Sequence, residues 1–499
     1  MSNERRFLIL CLIVPCFRLS AATALFEVTD GLWEVPGNWS IAAVPGLADS
    51  AHVTFEGRTV RITQPGAVCN NLVAGYAAGE TGTVCLVTGT LYTASSQNIG
   101  RNGWGRFIQE ADTTNRSGGS LTVGEGVTAE GLYELRGGSL AAAEGSAWDL
   151  NVGYNGRGVL LQTGGVLGDF GSASSSRYLF VGRGSGEGSY RMNGGEVRFT
   201  NNTYVSIGHT GTGAFAQSNG MFRMLRVFNV GKENGGQGSF LLAGGTNSSY
   251  QFTLGEKAAA RGSAVLCGGE LTTAVEGLDV GYYGTGTVWQ SGGTVTLAKY
   301  LFIGRDAGSQ GRYLLTGGEI ALTNGNNHMY VGEYGNGALL QSNGVIRVRN
   351  WFTVSRRTGS SGVYRMAGGA LTVQANLQLG EQPGSRARFE IVGTNSVIAC
   401  NTLTVTTNAT LRAELSADGV SAVAVQNQAA LAGRLEVAVA DKTFDRPVTL
   451  IAAGSLSGQF DEVVPVHPLR QVDVTYESGT GKVTLSNFRY FTGTVIGLY

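Results

Sequence analysis

The sequence predicts an all-β fold: a parallel β-helix, a solenoid of about thirteen coils of about 25 residues, with an N-terminal cap and a C-terminal β module. Three observations predict it. Glycine supplies 78 of 499 residues and only 14% are charged, respectively more than twice and well below the usual shares. An apolar-Gly step recurs about every 25 residues, each followed by a Gly-Gly or Asn-Gly pair, and such a period marks stacked units that cannot fold singly. Between these marks apolar residues alternate with a period of two, with no helical period anywhere. Parallel crossovers are right-handed, so the expected coil is right-handed.

Residues 1–24 read as an export signal. Arg5 and Arg6 precede an apolar run over 7–17, and Ala22-Thr23-Ala24 is a small-x-small cleavage site. The mature chain is therefore expected to be secreted or held at the outer cell surface. No later apolar run approaches the roughly 20 residues of a membrane helix, so no transmembrane segment is expected. Residues 25–70 contain Trp33, Trp39 and the alternating run NWSIAAVPGLADSAHVTF without a coil signature, and are expected to form an N-terminal β cap.

The coils occupy 71–400. Val152-Gly153 leads to Gly164-Gly165, Val181-Gly182 to Gly194-Gly195, Ile207-Gly208 to Asn219-Gly220 and Val280-Gly281 to Gly292-Gly293. Each unit offers three inward faces: Leu179 and Val181 before the step, Tyr190 before the pair, Val197 and Phe199 after it. The stretch VGRGSGEGSYRMNGG, 181–195, looks at first like a phosphate-cradling loop. Its spacing departs from G-x-G-x-x-G and no helical pattern follows, so the glycines are assigned to corners that need positive φ or close backbone passage.

Residues 401–488 form the expected C-terminal module, with 489–499 as a tail. VTLIAAGSLSGQFDEV (448–463) and VDVTYESGTGKVTLSNF (472–488) form an apolar strand, a Gly-Phe turn and a hairpin. Together with the initial W…NW…P…D-A-x-V pattern, they resemble secreted bacterial parallel β-helix repeat proteins of the autotransporter-passenger and surface-repeat type. The resemblance implies a structural or adhesive surface protein, or a pectin-lyase-like protein that binds or cleaves polysaccharide. Eleven residues follow Phe488, ending FRYFTGTVIGLY, so the expectation is of a passenger-like chain without the translocator barrel or a Pro-Glu-Pro sorting signal.

Charge argues against nucleic acid as a partner: 36 basic and 36 acidic residues balance, with no basic stripe. No catalytic, cofactor-binding or metal-binding residue is assigned. The coil aspartates Asp112, Asp149, Asp169, Asp279 and Asp306 lack the in-register partner that glycoside chemistry needs, Asp149 and Asp169 being the nearest pair. His52, His209, His328 and His467 are too scattered for one metal site. Cys69, Cys85, Cys267 and Cys400 read as free thiols, with Cys69 and Cys85 as the one plausible bridge. A charged column one residue after the step, Lys232, Glu256, Arg305, Glu333, Arg356 and Glu381, predicts cross-coil ion pairs on a solvated face. Tyr154, Tyr282 and Trp289 are the residues expected to stack on sugar rings of an extracellular polysaccharide, other surface proteins being the alternative partner.

One inward position, three residues before the second glycine, is Leu or Met in some coils and Gln162, Gln217, Gln290 or Gln341 in others. The glutamine coils have the shorter step, 12 residues from Gly153 to Gly165 and from Gly281 to Gly293. The amides lie too far apart to bond one another, so each is expected to bond backbone of its own short corner, Tyr154 to Arg157 for Gln162.

Overall fold

The computed structural model describes residues 21–491 apart from 56, 144, 145, 147 and 169–175. Among these there is no α-helix, only a 3-10 turn at Pro36–Asn38 amid parallel strands. One coil illustrates the central ones: a step strand Leu278–Val280, a middle strand Thr285–Gln290 and a third strand Thr294–Leu297. The next coil repeats it as Tyr300–Ile303, Gln310–Leu315 and Glu319–Leu322. Leu278 faces Leu301, Val288 faces Tyr313 and Val295 faces Ile320, so three inward ladders run along the rod and fill one continuous core. Period two places these side chains inside and their neighbours outside.

The corners are glycine because nothing else fits. Gly281 has φ +75°, and a Cβ there would lie 2.4 Å from the Gln310 carbonyl oxygen of the next coil. Gly286, at the foot of the middle strand, would press a Cβ to 2.1 Å from the Gly281 nitrogen. In the 181–195 stretch, Gly182, Gly184 and Gly195 have positive φ while Gly186 and Gly188 lie against backbone, which confirms a corner. In the central coils Ser355 breaks the rule: it stands at the step position with φ 58°, where its Oγ donates to the Ser360 carbonyl (3.0 Å) and accepts the Arg386 N–H (3.0 Å).

Parallel pairing begins with Thr23–Leu25 on Ser50–Val53 and ends with Arg434–Val439 on Glu462–Pro465. It runs through residues 70 and 400 without interruption and makes about 17 turns, more than the thirteen expected. The difference has a physical reason. The first coils turn on Pro65-Gly66 rather than a glycine pair, and from Gly369 onward the third and step strands fuse into single strands, Gly369–Leu379 and Ser396–Val405, so the double-glycine mark disappears. In the first coil Trp39 packs edge-to-face on Phe26 and Trp33, with ring centroids 5.1 and 4.9 Å apart. At the far end Lys482–Tyr490 pairs antiparallel with both Val448–Gly458 and Leu469–Glu477, the hairpin expected there.

The core glutamines are satisfied by backbone, at a different corner from the one expected. Gln162 Nε2 donates to the Gly165 carbonyl (3.3 Å) and to the Glu196 carbonyl of the next coil (3.1 Å). Gln290 and Gln341 repeat this on Gly293 and Glu319 and on Gly344 and Ala370. The amide thus holds the corner after it, because a side chain three residues before the second glycine reaches forward to that glycine. Its oxygen accepts from a tyrosine hydroxyl one coil later: Tyr190 for Gln162, Tyr313 for Gln290 (2.6 Å) and Tyr364 for Gln341 (2.6 Å). Gln217 is followed by Phe240, which has no hydroxyl, and Asn247 Nδ2 donates instead at 3.2 Å. Gln109 and Tyr133 form a further pair (2.6 Å) outside the glutamine series read from the sequence.

Candidate functional site

On the step strand the residues four and two before the glycine point outward, and the residue after the glycine projects on the same side. Stacked coils turn these three positions into three columns. Around Gly281 to Ser355 the columns converge on a groove of about 570 Å³. Its floor holds Phe302, Tyr330, Arg305, Glu333 and Arg356; one wall is Tyr300, His328 and Trp351, the other Tyr283, Asp306 and Tyr334. Tyr283, Tyr334 and Trp351 remain 43%, 46% and 43% exposed, so they present ring faces to solvent.

The floor is held by charge and stacking together. The Arg305 guanidinium lies over Tyr282 (4.3 Å) and Phe302 (4.8 Å) and grips Asp279, only 2% exposed, at 3.0 and 3.1 Å. Gln251 adds a 2.5 Å hydrogen bond to the same carboxylate. Burial pushes Asp279 above the usual carboxylate range and the Arg305 charge opposes it. Arg356 lies over Tyr330 (4.6 Å) and bridges Glu333 (2.8 Å) and Glu381 (3.1 Å). Burial raises Glu333 and Asp306, and lifts the Tyr330 and Tyr282 hydroxyls to about 12. His328, beside Tyr300 and Tyr330, is lowered by burial and by Arg356, so its ring stays neutral at neutral pH.

Several expected residues meet here and others do not. The charged column exists, with Arg356 pairing Glu333 and Glu381 as predicted, but Arg305 pairs with Asp279 on the preceding coil. The face is also a half-buried groove rather than a solvated one, because aromatic neighbours rise on both sides of it. Tyr282 and Tyr154 belong to this face, each partly covered by an arginine. Trp289 does not: it stands 48% exposed on the middle ladder between Val265 and Leu314, its Nε1 donating to Thr316 (3.1 Å). Asp149 is held by Arg183 at 3.4 Å, and Asp169 lies outside the described residues. Cys69, Cys85, Cys267 and Cys400 are free thiols, and no three metal-ligating side chains gather among the described residues. Burial lowers His209 to about 4 and also lowers His52.

Sequence reasoning overlooked Tyr283, Tyr300, Tyr330, Tyr334 and Trp351, and weighed His328 only as a metal ligand. For Tyr300, His328, Tyr330 and Trp351 the signal lay in the columns four and two before each step, and for Tyr283 and Tyr334 two residues after it; these outward positions were passed over for their inward neighbours. No protein-family model matches this chain, and no curated protein matches it.

Proposed function

We propose that this chain is an exported, cell-surface solenoid of structural and adhesive type that contacts extracellular polysaccharide through the aromatic groove on its step face. The observation that carries the reading is the groove itself: exposed ring faces of Tyr283, Tyr334 and Trp351 flank a floor in which every arginine is stacked and ion-paired. Aromatic faces of this kind pack on the apolar faces of sugar rings, and fixed arginines add hydrogen-bond donors at low entropic cost. Export rests on the signal-like residues 1–24, and right-handed winding and a capping role for the N-terminal coils rest on the crossover preference and the resemblance to passenger-type repeats.

Binding is favoured over cleavage by the state of the carboxylates. Glycoside hydrolysis in its usual form uses two carboxyl groups flanking the scissile bond, one as acid and the other as base or nucleophile, both free to react. Asp279 and Glu333 are engaged by Arg305 and Arg356, which leaves Asp306 as the groove carboxylate without an ion pair among the described residues. Residues 25–499 on a glycan array, run beside a polysaccharide-cleavage assay, test the reading. Expected is binding without cleavage, reduced at least about tenfold in the Tyr334→Ala, Trp351→Ala double variant. Product release from any bound polysaccharide would replace the adhesive reading with an enzymatic one.

A further inference from the structure

A short outward pattern occurs twice. Val152-Gly153-Tyr154 followed by Tyr178-Leu179-Phe180-Val181-Gly182-Arg183 returns as Val280-Gly281-Tyr282 followed by Tyr300-Leu301-Phe302-Ile303-Gly304-Arg305. The inward members serve the core. The outward ones are not needed for coiling, since the coils between carry Ser206 with His209, Asn229 with Lys232 and Thr253 with Glu256 at the same positions and pair in the same register.

The two copies also have the same geometry. Arg183 lies over Tyr154 (5.3 Å) and Phe180 (4.3 Å), as Arg305 lies over Tyr282 and Phe302. Tyr178 stacks on Phe180 at 5.0 Å, and Tyr300 packs on Phe302 at 5.1 Å. Asp149 and Asn151 hold Arg183 at 3.4 and 3.2 Å, the role Asp279 takes for Arg305. Phe180 and Phe302 occupy one register column, linked through Ser206, Asn229, Thr253 and Asp279, so five coil spacings of about 4.8 Å put about 24 Å between them. Tyr204 of the next coil stacks on Tyr178 at 5.5 Å and extends the first copy; beyond it the face is polar, with Lys232 and Glu256 on neighbouring coils. Ser206 and Asn229 are buried, yet Ser206 Oγ and Asn229 Oδ1 have no hydrogen-bond partner within the protein, and neither does His209 Nδ1 beside them. Buried polar atoms in that state call for a partner other than this chain's own groups, an ordered water or a ligand hydroxyl.

We infer that the step face is one continuous track for a single extended, uncharged glycan chain, stacked at two aromatic-arginine stations and hydrogen-bonded between them. This rests on the polysaccharide reading of the groove and adds the ligand's length and charge class. Length follows from the spacing, because a compact ligand reaches one station only. Lack of charge follows from the pairing: Arg183, Arg305 and Arg356 already carry carboxylate partners, and Lys232 on the interval is balanced by Glu256 of the next coil, so an acidic polymer would have to displace these partners.

The test uses size-fractionated neutral β-glucan chains, some shorter than the gap between stations and some long enough to span it, with size-matched polygalacturonate as the anionic counterpart. Binding is measured by calorimetry on residues 25–499 and on two variants whose folding is checked by circular dichroism, Tyr178→Ala with Tyr204→Ala at the first station and Tyr300→Ala with Trp351→Ala at the second. Expected are two short chains bound per wild-type molecule and one per variant, and spanning chains bound at least about tenfold more tightly than short ones by wild type alone. Equal affinity for short and spanning chains, or tighter binding of polygalacturonate, would overturn the track. If binding is lost with the second station alone and is independent of length, the track fails while the groove's polysaccharide role stands. Failure of every glucan and polygalacturonate fraction to bind overturns both.

Discussion

The central coils and the C-terminal coils follow the same solenoid path by different means. In the centre each corner is a separate turn on glycines such as Gly281 and Gly293, and the outward residues of the middle strands are mostly small or uncharged, Ser239, Ser263 and Thr287 among them, with charge only scattered, as at Arg191, Arg261 and Arg312. From Gly369 the third and step strands merge, and register shifts between Val373 and Asn376, Cys400 and Leu403, and Val425 and Gln428 bend the fused strands. There Arg365, Glu390, Arg412 and Glu436 form one register column of alternating sign on the middle ladder. Arg365 meets Glu390 at 2.9 Å, Arg412 meets Glu436 at 3.4 Å, and Arg388 ties Glu390 (2.5 Å) to Glu436 (2.8 Å). In the glycine-cornered centre cross-coil ion pairs sit on the step face and the middle ladder is left without a continuous charged column. Where those corners are lost, the middle ladder itself carries the lateral ties.

The sharpest way to break this contrast is to add one methyl group in each region. Gly286→Ala places a Cβ 2.1 Å from the Gly281 backbone nitrogen, whereas at Gly393 (φ 61°) the nearest atom is the Ser416 Cβ at 3.7 Å. Gly286→Ala is expected to cost more than about 3 kcal/mol, because the Val280-Gly281 backbone at the corner of the same coil must move aside, and Gly393→Ala about 1–2 kcal/mol for its left-handed conformation alone. Thermal unfolding with limited proteolysis measures both, and equal losses would show that the central corners are not special.

A smaller effect probes how the central corners are held from inside. Gln290→Leu strands the Tyr313 hydroxyl and two carbonyls and should cost about 2–3 kcal/mol, even though leucine occupies the same position in neighbouring coils. Tyr313→Phe on that background should recover part of the loss, with a coupling of about 1 kcal/mol in a double-mutant cycle. Additive losses would mean that the amide and the hydroxyl act independently.

The smallest effect belongs to the charged C-terminal column and depends on pH. Hydrogen bonds from Arg388 hold Glu436 below its ordinary value of 4.5, against burial. Glu390 is also lowered: burial is its largest single influence and acts upward, but its bonds to Arg388 and Arg365 outweigh it. Both carboxylates therefore add stability above the ordinary glutamate value and lose it as pH falls through their lowered values. Hydrogen exchange should show the C-terminal coils opening between neutral and acid pH before the central coils do, and Glu436→Gln should flatten that dependence. A uniform acid response along the rod would remove the distinction between the two regions.

Much of the coil could be read directly. Alternation at Leu179, Val181, Tyr190 and Val197 specifies inward faces, and a glycine needed for positive φ or close passage marks its corner in any register. The turns at both ends escaped because Pro65-Gly66 and the fused Gly369–Leu379 strand turn the chain without a glycine pair. The Gln162 amide was rightly expected to bond backbone, but its corner depended on which way the side chain reaches. The groove was less legible, since Tyr283, Tyr300, Tyr330 and Trp351 lie far apart along the chain and become neighbours only when coils stack.

By itself the sequence determined an all-β rod of repeated coils, because period-two apolar alternation and recurrent glycine corners are local demands that each unit states in its own residues. Only the tertiary structure decided that Arg305 turns to Asp279, that the coils number about 17, and that three outward columns meet as an aromatic groove. Those outcomes depend on which coil lies against which and in what register, and that is set by the stacking of whole turns.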